Sequence, residues 1–504
     1  MIEILNAPIR GYFSFRDERL VTLIENQIQT QEVWLNYLVK NGASTQFGKK
    51  YGMSKDMTYF EFASEVPLQD YVSLLPYIER IMKGEDYILW NSKINWMAKS
   101  SGTTAGKSKY IPVSEESLKF NNFLAARDSL TFFCEMFPET EIFSGKGITL
   151  GGSFHEMGPE AKVKCGDVSA ILMNNMPILG EFLKAPDKEI LLNDNWNEKL
   201  RLIAENTYDK NITSLSGVPS WFLLVLKEVL NIAGKKNILE VWPNLEVFFH
   251  GGVGFKPYEK EYRKLIPSDN FFYMNMYNAS EGFFGFQFQR DCSDLLLLTD
   301  NGVFYEFIPI DAASERRGKP VPLTDVEVGQ LYAMVITTPS GLWRYEIGDT
   351  VMFTSTNPYS YRIVGRTTQY INTFGEELIV DNADKAIFEA CEKTGAVLKE
   401  YTAAPIYLGN AKEEACHEWL IEFTRLPDNM ELFTSVLDAT LKKLNSDYEA
   451  KRTGDLILHQ PKISVMPDGT FIKWLDSVGK LGGQFKVPRL QNDRKIVDAI
   501  LQLL

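Results

Sequence analysis

Between Gly147 and Tyr277, short apolar runs alternate with helical patterns: GITLGG, a helix from Asn195 to Tyr208, NITSLSG, a helix from Pro219 to Ile232, then LEVFFHGG and FFYMNMY. Short strands separated by helices point to an α/β sheet with crossover helices. Strands then come in quick succession at DLLLLTDNGVFYEFIPI, GQLYAMVITTP, DTVMFTS and SYRIVGR. Asp300-Asn301-Gly302 reads as a hairpin turn, so this part is expected to be antiparallel. An opening helix is predicted from Asp17 to Lys40 on the apolar spacing of Leu20, Leu23, Ile24, Ile28, Leu35 and Leu38.

Beyond Arg366 the pattern restarts, with a helix at Asn382 to Lys393, strands KEYTAAPIY and HEWLIEFT, a helix from Asp428 to Lys451, strand KISVM and the loop VGKLGGQFKVPRL. This tail is the size of one small domain. The expected organisation is an N-terminal domain over 1–366, a hinge at Thr367 to Tyr370, and a C-terminal domain over 371–504.

The 504 residues, 45% apolar, bury a large core in more than one domain. A net charge of −13 opposes binding to nucleic acid or an anionic membrane surface, and no basic patch overrides it. Cysteines 134, 165, 292, 391 and 416 are odd in number and lack CxxC spacing, which suits a reducing compartment. The start MIEILNAPIRG lacks the layout of a signal peptide, and WFLLVLKEVL is too short and too charged for a membrane span. A cytoplasmic protein is expected. Four histidines with no HxxxH pair argue against a histidine-built metal site.

The segment KSSGTTAGKSKYIPVS, Lys99 to Ser114, resembles a phosphate loop but has one residue fewer between its glycines than a Walker loop. Nor does it open into a helix: Pro112 and its β-branched neighbours favour an extended strand. The reading is a strand–loop–strand clamp, with hydroxyls at Ser101, Thr103 and Thr104, permissive glycines, and cations at Lys107 and Lys109 suited to polyphosphate. In isolation the same residues also suit a solvated turn. Ser114 is placed as the N-cap of a helix running to Phe137, with Glu115 and Glu116 in its first turn.

Five motifs in order decide between these readings. SSGTTAGKSKYIP resembles the phosphate loop of the adenylate-forming enzymes, and closely that of their auxin-responsive-promoter (Gretchen Hagen) branch, the acyl acid amido synthetases. FFHGGVGF from Phe248 resembles the turn that holds adenine, YNASEG from Tyr277 the Tyr-x-x-Ser/Thr-Glu motif, and WRYEIGD the motif that ends in the family's ribose-binding aspartate, at Asp349 here. YRIVGR ends at Arg366, where the hinge of the superfamily begins.

The resemblance implies an α/β fold with a large N-terminal domain of mixed sheets and helices and a smaller mobile α/β C-terminal domain. It implies nucleotide binding by Ser100, Ser101, Gly102, Thr103, Thr104, Gly251, Gly252, Tyr277, Asn278, Ser280, Asp349 and Arg366. Tyr277 offers a ring face to adenine, and Glu281 a hard oxygen for Mg²⁺ on the phosphates of ATP. Read from the residues, Arg344 and Arg366 are both candidate cations for phosphate or ribose, and both also suit an exposed strand. Lys109 stands at the family's lysine position, and GKLGGQFKVPRL resembles the C-terminal lysine loop, with Lys486 as its catalytic lysine and Lys480 as the rival. The helix NNFLAARDSLTFF corresponds to an acyl-pocket helix, so Arg127, with Phe283 and Phe284, is a candidate for substrate contact; the arginine also suits an exposed helix face and the phenylalanines a plain core.

One departure stands out: plant members carry a lysine where INTFGEEL supplies Glu376 and Glu377. The implied activity is a ligase converting ATP to AMP and pyrophosphate. It adenylates a carboxylic acid, then transfers the acyl group to an amine such as an amino acid. Transfer to a thiol such as coenzyme A is one alternative, and a nucleotide- or acyl-adenylate-binding protein without turnover is another.

Overall fold

The computed structural model describes residues 6–14, 17–104, 107–157, 161–252, 255, 258–310, 317–366, 370–407, 415–455, 457–478 and 487–504. Two compact units result: Met1–Ser100, Tyr110–Gly252 and Lys260–Thr367 form the first, and Ser101–Lys109, Val253–Glu259 and Thr368–Leu504 the second.

Strands up to residue 366 are, in chain order, β1 (Trp96–Thr104), β2 (Lys107–Val113), β3 (Lys146–Thr149), β4 (Phe154–His155), β5 (Lys164–Gly166), β6 (Ile212–Gly217) and β7 (Val247–Gly251), then β8 (Phe272–Ala279), β9 (Gly282–Gln289), β10 (Cys292–Leu297), β11 (Phe304–Ile310), β12 (Val321–Pro322), β13 (Leu331–Thr337), β14 (Tyr345–Thr356) and β15 (Tyr359–Arg366). Four make a small sheet in the order β2-β1-β5-β4, and the rest a single sheet in the order β12-β11-β13-β14-β15-β10-β9-β8-β7-β6-β3.

The two halves expected from the sequence are thus one sheet. Strands β3, β6, β7 and β8 run parallel, and from β9 onward the pairing is antiparallel. The crossover after β6 is the helix Pro219–Ala233, with proline in its first turn and Gly234 at φ 62 ending it. Phe222, Val225, Leu226 and Val229 on one stripe of that helix are fully buried.

The Asp300-Asn301-Gly302 turn does not make the predicted hairpin. β10 pairs with β9 and β15, whereas β11 pairs with β12 and β13. Gly302 does take a positive φ of 78, but the turn's hydrogen bonds go to helices. Gln31 Nε2 donates to the carbonyls of Thr299 (2.9 Å) and Val303 (2.7 Å), Trp34 Nε1 donates to Asp300 Oδ1 at 2.9 Å, and Arg19 binds Asp300 as well as the buried Asp128. These tertiary bonds outweigh the local turn preference and carry β11 to another place in the sheet.

In the sheet order β14 is four ladders from β8, roughly 19 Å in a flat sheet at about 4.8 Å per ladder. Yet the Tyr277 hydroxyl on β8 donates to Asp349 Oδ2 on β14. The antiparallel strands therefore curl, as twisted sheets do. Tyr277, Phe284, Leu295, Tyr305, Phe307, Tyr332, Phe353 and Tyr361 fill the concave side as part of one apolar core.

Two helix boundaries differ from the sequence reading. The opening helix is two, Asp17–Glu25 and Gln27–Gly42. The helix expected over 428–451 is also two, Met430–Leu444 and Ser446–Arg452. Asn445 ends the first of these, and its Oδ1 accepts from the N–H groups of Asp447 (2.9 Å) and Tyr448 (2.8 Å) to start the second.

The second unit adds β16 (Tyr370–Ile371) paired with β17 (Leu378–Ile379), and a three-stranded sheet of β18 (Val397–Ile406), β19 (Cys416–Arg425) and β20 (Lys462–Met466). The helix Val380–Thr394 leads into β18 through Gly395 at φ 63. Glu376 is fully buried. Its Oε1 lies 2.8 Å from His417 Nε2 and its Oε2 accepts from the Phe374 N–H at 2.6 Å. Asn445 Nδ2 donates to the carbonyls of Glu376 and Glu377 at 2.9 and 3.1 Å. Glu376 is therefore an internal tie that fixes the Phe374–Glu377 turn.

Candidate active site

The carboxyl ends of β3, β6, β7 and β8 line up in register. Thr149 lies opposite Ser216, Gly217 opposite His250, and Gly251 opposite Met276. Just past those ends come Gly151-Gly152, Val218, Gly252 and the turn Ser280-Glu281. Open α/β sheets bind ligands outside the carboxyl ends of their strands. The glycines are needed there. A Cβ on Gly251 would stand 2.4 Å from the carbonyl oxygen of Met276, and Gly252 has φ 82. Gly251→Ala should push the ends of β7 and β8 apart and lower stability by about 1–3 kcal/mol, read as a fall in the thermal midpoint.

Four of the predicted nucleotide residues, Tyr277 and Asn278 on β8, Asp349 on β14 and Arg366 on β15, are brought together by the sheet. Tyr277 and Asp349 are directly hydrogen-bonded and both nearly buried, and the Tyr277 ring meets Phe284 edge-on at 5.2 Å. Asp349 lies opposite Arg366 in the β14–β15 ladder. Asn278 comes after Tyr277 at an irregular step of the β8–β9 ladder, and bulges of this kind re-aim side chains. Among the described residues its buried Oδ1 has no hydrogen-bond partner, leaving an acceptor at the site.

Ser280 and Glu281 form the β8–β9 turn and are half-buried. Among the described residues no group of three His, Cys, Asp or Glu side chains forms a metal cage. A single hard carboxylate suits Mg²⁺ that arrives already bound to phosphate oxygens.

The remaining candidates separate. Phe283 and Phe284 are core residues on opposite faces of β9, one in each of two apolar clusters. Asn121 clamps β9 there, its Oδ1 accepting from the Phe283 N–H at 2.7 Å and its Nδ2 donating to the Phe283 carbonyl at 2.9 Å. It can do so because the helix from Glu115 includes a π turn over Leu118–Asn122. Arg127 is about a third exposed on Phe123–Met136 and lies 3.9 Å from Asp128 Oδ1.

Arg344 is not a free cation for phosphate. It is buried, its Nε and Nη2 donate to both oxygens of the buried Glu306 at 2.8 and 2.7 Å, and its Nη1 donates to the carbonyls of Ala63 and Val66 at 2.7 Å. Four of its five donors are thereby used.

The two expected strands are present as β1 and β2, but they run further than expected: Ser101, Thr103, Thr104 and Lys107, read as loop residues, lie on strands, and residues 105–106 lie outside the described residues. The helix begins only at Glu115, where Ser114 Oγ accepts from the Ser117 N–H at 2.9 Å. Ser100, Ser101, Gly102, Thr103 and Thr104 lie on β1, and Lys109 lies on β2, partly buried. Lys486 and Lys480 lie outside the described residues, as do 367–369 of the expected hinge. Further along, Arg489 is anchored: its Nη1 donates to the Tyr401 carbonyl at 3.1 Å and its guanidinium pairs with Glu400.

Sequence reasoning missed a polar cluster at the end of β3. Lys199 is buried and donates to the carbonyls of Gly151 and Gly152 at 3.1 and 3.2 Å. Burial pushes its ammonium down to about 8 against the opposing charges of Asp167 and Asp194. Burial also acts to raise Asp167, but hydrogen bonds from His155 and Ser153 and the charges of His155 and Lys99 outweigh it, leaving the carboxyl below its usual range. The one available signal was the paired glycine after a strand, which marks a close backbone approach.

His250, at the end of β7, is buried and its pKa is lowered to about 3 by desolvation. Unfolded, it titrates near 6.5. The unfolded chain therefore binds the extra proton between those values, and stability falls as pH drops from about 6.5 towards 3, by about 2 kcal/mol at pH 5. Urea denaturation from pH 7 to 5 should reveal this slope, and His250→Gln should flatten it.

The sequence matches models of known domains in order. Residues 16–271 match the GH3 family N-terminal domain, 296–366 the GH3 family central domain and 381–495 the GH3 family C-terminal domain. Indole-3-acetic acid-amido synthetase GH3.3 of Arabidopsis thaliana is 23% identical, over 98% of this chain and 95% of its own. The 4-substituted benzoates-glutamate ligase GH3.12 of the same plant is 21% identical, over 96% of each. Among solved structures, a GH3.15 acyl acid amido synthetase superposes with a TM-score of 0.62 at 17% identity, over 96% of this chain and 95% of the other. A 2-hydroxyisobutyryl-CoA ligase superposes with a TM-score of 0.54 at 14% identity, over 95% and 92%. The fold is the adenylate-forming one expected from the motifs, and with the N-terminal domain alone matching about half of its length, the chain belongs to the GH3 family.

Proposed function

We propose that this chain is an acyl acid amido synthetase-like ligase that uses ATP to adenylate a carboxylic acid and passes the acyl group to an amine, most simply an amino acid. The observation that carries the reading is the Tyr277–Asp349 hydrogen bond. It unites two motif residues 72 positions apart at the edge where Glu281 and the glycine turns also lie.

A carboxylate attacking the α-phosphate of ATP brings two anions together, so catalysis is chiefly electrostatic. In this reading Tyr277, held in one orientation by Asp349, stacks on adenine. Asn278 Oδ1 accepts from the adenine amino group, and Asp349 and Arg366 bind the ribose. Ser100 to Thr104 and Lys109 hold the phosphates, and Lys486 supplies a further cation. Glu281 would hold Mg²⁺, which neutralises phosphate charge when bound with ATP. The acyl chain lies towards Arg127 and the helix that carries it, and a hinge at 367–370 lets the C-terminal domain alternate between the two half-reactions. The five cysteines are all unbridged, which suits the cytoplasm, and among the described residues no helix is long and apolar enough to cross a membrane.

The test is pyrophosphate release across a panel of carboxylic acids, with subsequent trapping by amino acids or coenzyme A. Acid-dependent pyrophosphate and an amide product are expected. A thioester as the only product would reassign the acceptor, and no acid-dependent pyrophosphate would sink the reading.

A further inference from the structure

Beside the carboxyl end of β3 stands a histidine–aspartate pair to which adenylation assigns no role. His155 on β4 has its Nε2 at 3.2 Å from Asp167 Oδ1. Asp167 Oδ2 accepts from the Ser153 N–H at 2.8 Å, and the Asp167 N–H donates to the Ser153 carbonyl at 3.0 Å. The fit against the Gly151-Gly152 turn is close. A Cβ on Gly152 would lie 1.9 Å from Asp167 Oδ2, while the Gly152 N–H donates to Ser169 Oγ at 2.9 Å and Lys199 holds the turn's carbonyls from below.

Strand register places the pair. Ala98 of β1 lies opposite Gly166 of β5, and Phe154 of β4 opposite the same Gly166. One step further, Asp167 falls beside Lys99, the residue before Ser100, where the phosphate loop begins. The pair thus sits between the start of that loop and the end of β3, flanked by the cations of Lys99 and Lys199 and the more distant Asp194. The His155 side chain is about a third exposed, so its ring meets solvent. With Nε2–H directed at a carboxylate, the other ring nitrogen, Nδ1, is the basic one.

We propose that His155, oriented by Asp167, is the general base that deprotonates the acceptor amine in the second half-reaction. The inference rests on the reading of this edge as the acyl-adenylate site. An amino acid arrives as an ammonium and becomes nucleophilic only on losing a proton. His155 Nδ1 takes that proton. The amine nitrogen bonds to the acyl carbon; as the bond from that carbon to the phosphate-bearing oxygen breaks, AMP departs with the electron pair and the nitrogen's second proton passes to water, leaving a neutral amide. The imidazolium, stabilised by Asp167, returns its proton to water.

The experiment uses the full chain, the acid that gives pyrophosphate exchange, and two variants, His155→Gln and Asp167→Asn. Amide formed per acyl adenylate formed should fall about 100-fold in His155→Gln, the scale of a lost general base, and in the same direction in Asp167→Asn. Hydroxylamine, already unprotonated at neutral pH, should restore transfer in both to within a few-fold of wild type, while the KM for the amino acid stays within a few-fold of wild type, which a distorted acceptor site would not allow. Wild-type amide formation in His155→Gln overturns this inference alone, and so does a loss that hydroxylamine leaves unrepaired. Absence of acid-dependent exchange in the wild-type chain overturns it together with the proposed function.

Discussion

Glu306→Ala should destabilise the first unit by about 3–5 kcal/mol, because it leaves the Arg344 guanidinium buried without its counter-charge. Glu306 is fully buried and Arg344 is 4% exposed, so water cannot replace the lost partner. Arg344 also sits at a positive φ of 43, an uncommon conformation for a side-chain-bearing residue. Its bonds to Ala63 and Val66 tie this strained turn to the helix Tyr59–Glu65 and the segment after it. Urea denaturation monitored by tryptophan fluorescence reads the loss directly, since Trp343 is the neighbouring residue. Glu306→Ala combined with Arg344→Met should recover most of the loss, as removing both charges of a buried pair is often close to neutral. An additive loss in the double variant would show that the pair is not coupled as drawn.

Glu281→Gln should slow acid-dependent pyrophosphate exchange by about 100- to 1000-fold, the effect of losing one preorganised electrostatic contact at a transition state. Glutamine keeps the size of the side chain and the β8–β9 turn, so the thermal midpoint should move little. The variant should also require more Mg²⁺ for half-maximal exchange, because a neutral amide is the weaker ligand for a hard cation. Unaltered exchange at limiting Mg²⁺ would remove Glu281 from the site.

Local pattern made much of this molecule legible. The parallel strands were readable because buried runs such as VFFHG alternate with helices bearing their own start and stop signals, Pro219 and Gly234 among them. The strand after the Walker-like segment was legible from Pro112 and the β-branched residues beside it. What local pattern could not carry was long-range hydrogen bonding. Asp300-Asn301-Gly302 has hairpin chemistry, yet Arg19, Gln31 and Trp34 bind that turn from helices some 270 residues away in sequence. Arg344 looked like a phosphate cation because nothing near it in sequence announces Glu306. Tyr277 and Asp349 were each readable from their motifs, but their contact depends on the curl of the sheet. His155 and Asp167 form their pair through three short strands and a turn, with no spacing that marks them in advance.

The most direct test of adenylation tracks an oxygen atom. With both carboxylate oxygens of the acid labelled with oxygen-18, attack on the α-phosphate and later expulsion of AMP must leave one label on the AMP phosphate. Mass spectrometry of the products should find singly labelled AMP and unlabelled pyrophosphate in step with amide formation. Labelled inorganic phosphate with ADP would mean attack at the γ-phosphate and an acyl phosphate, and would contradict adenylation.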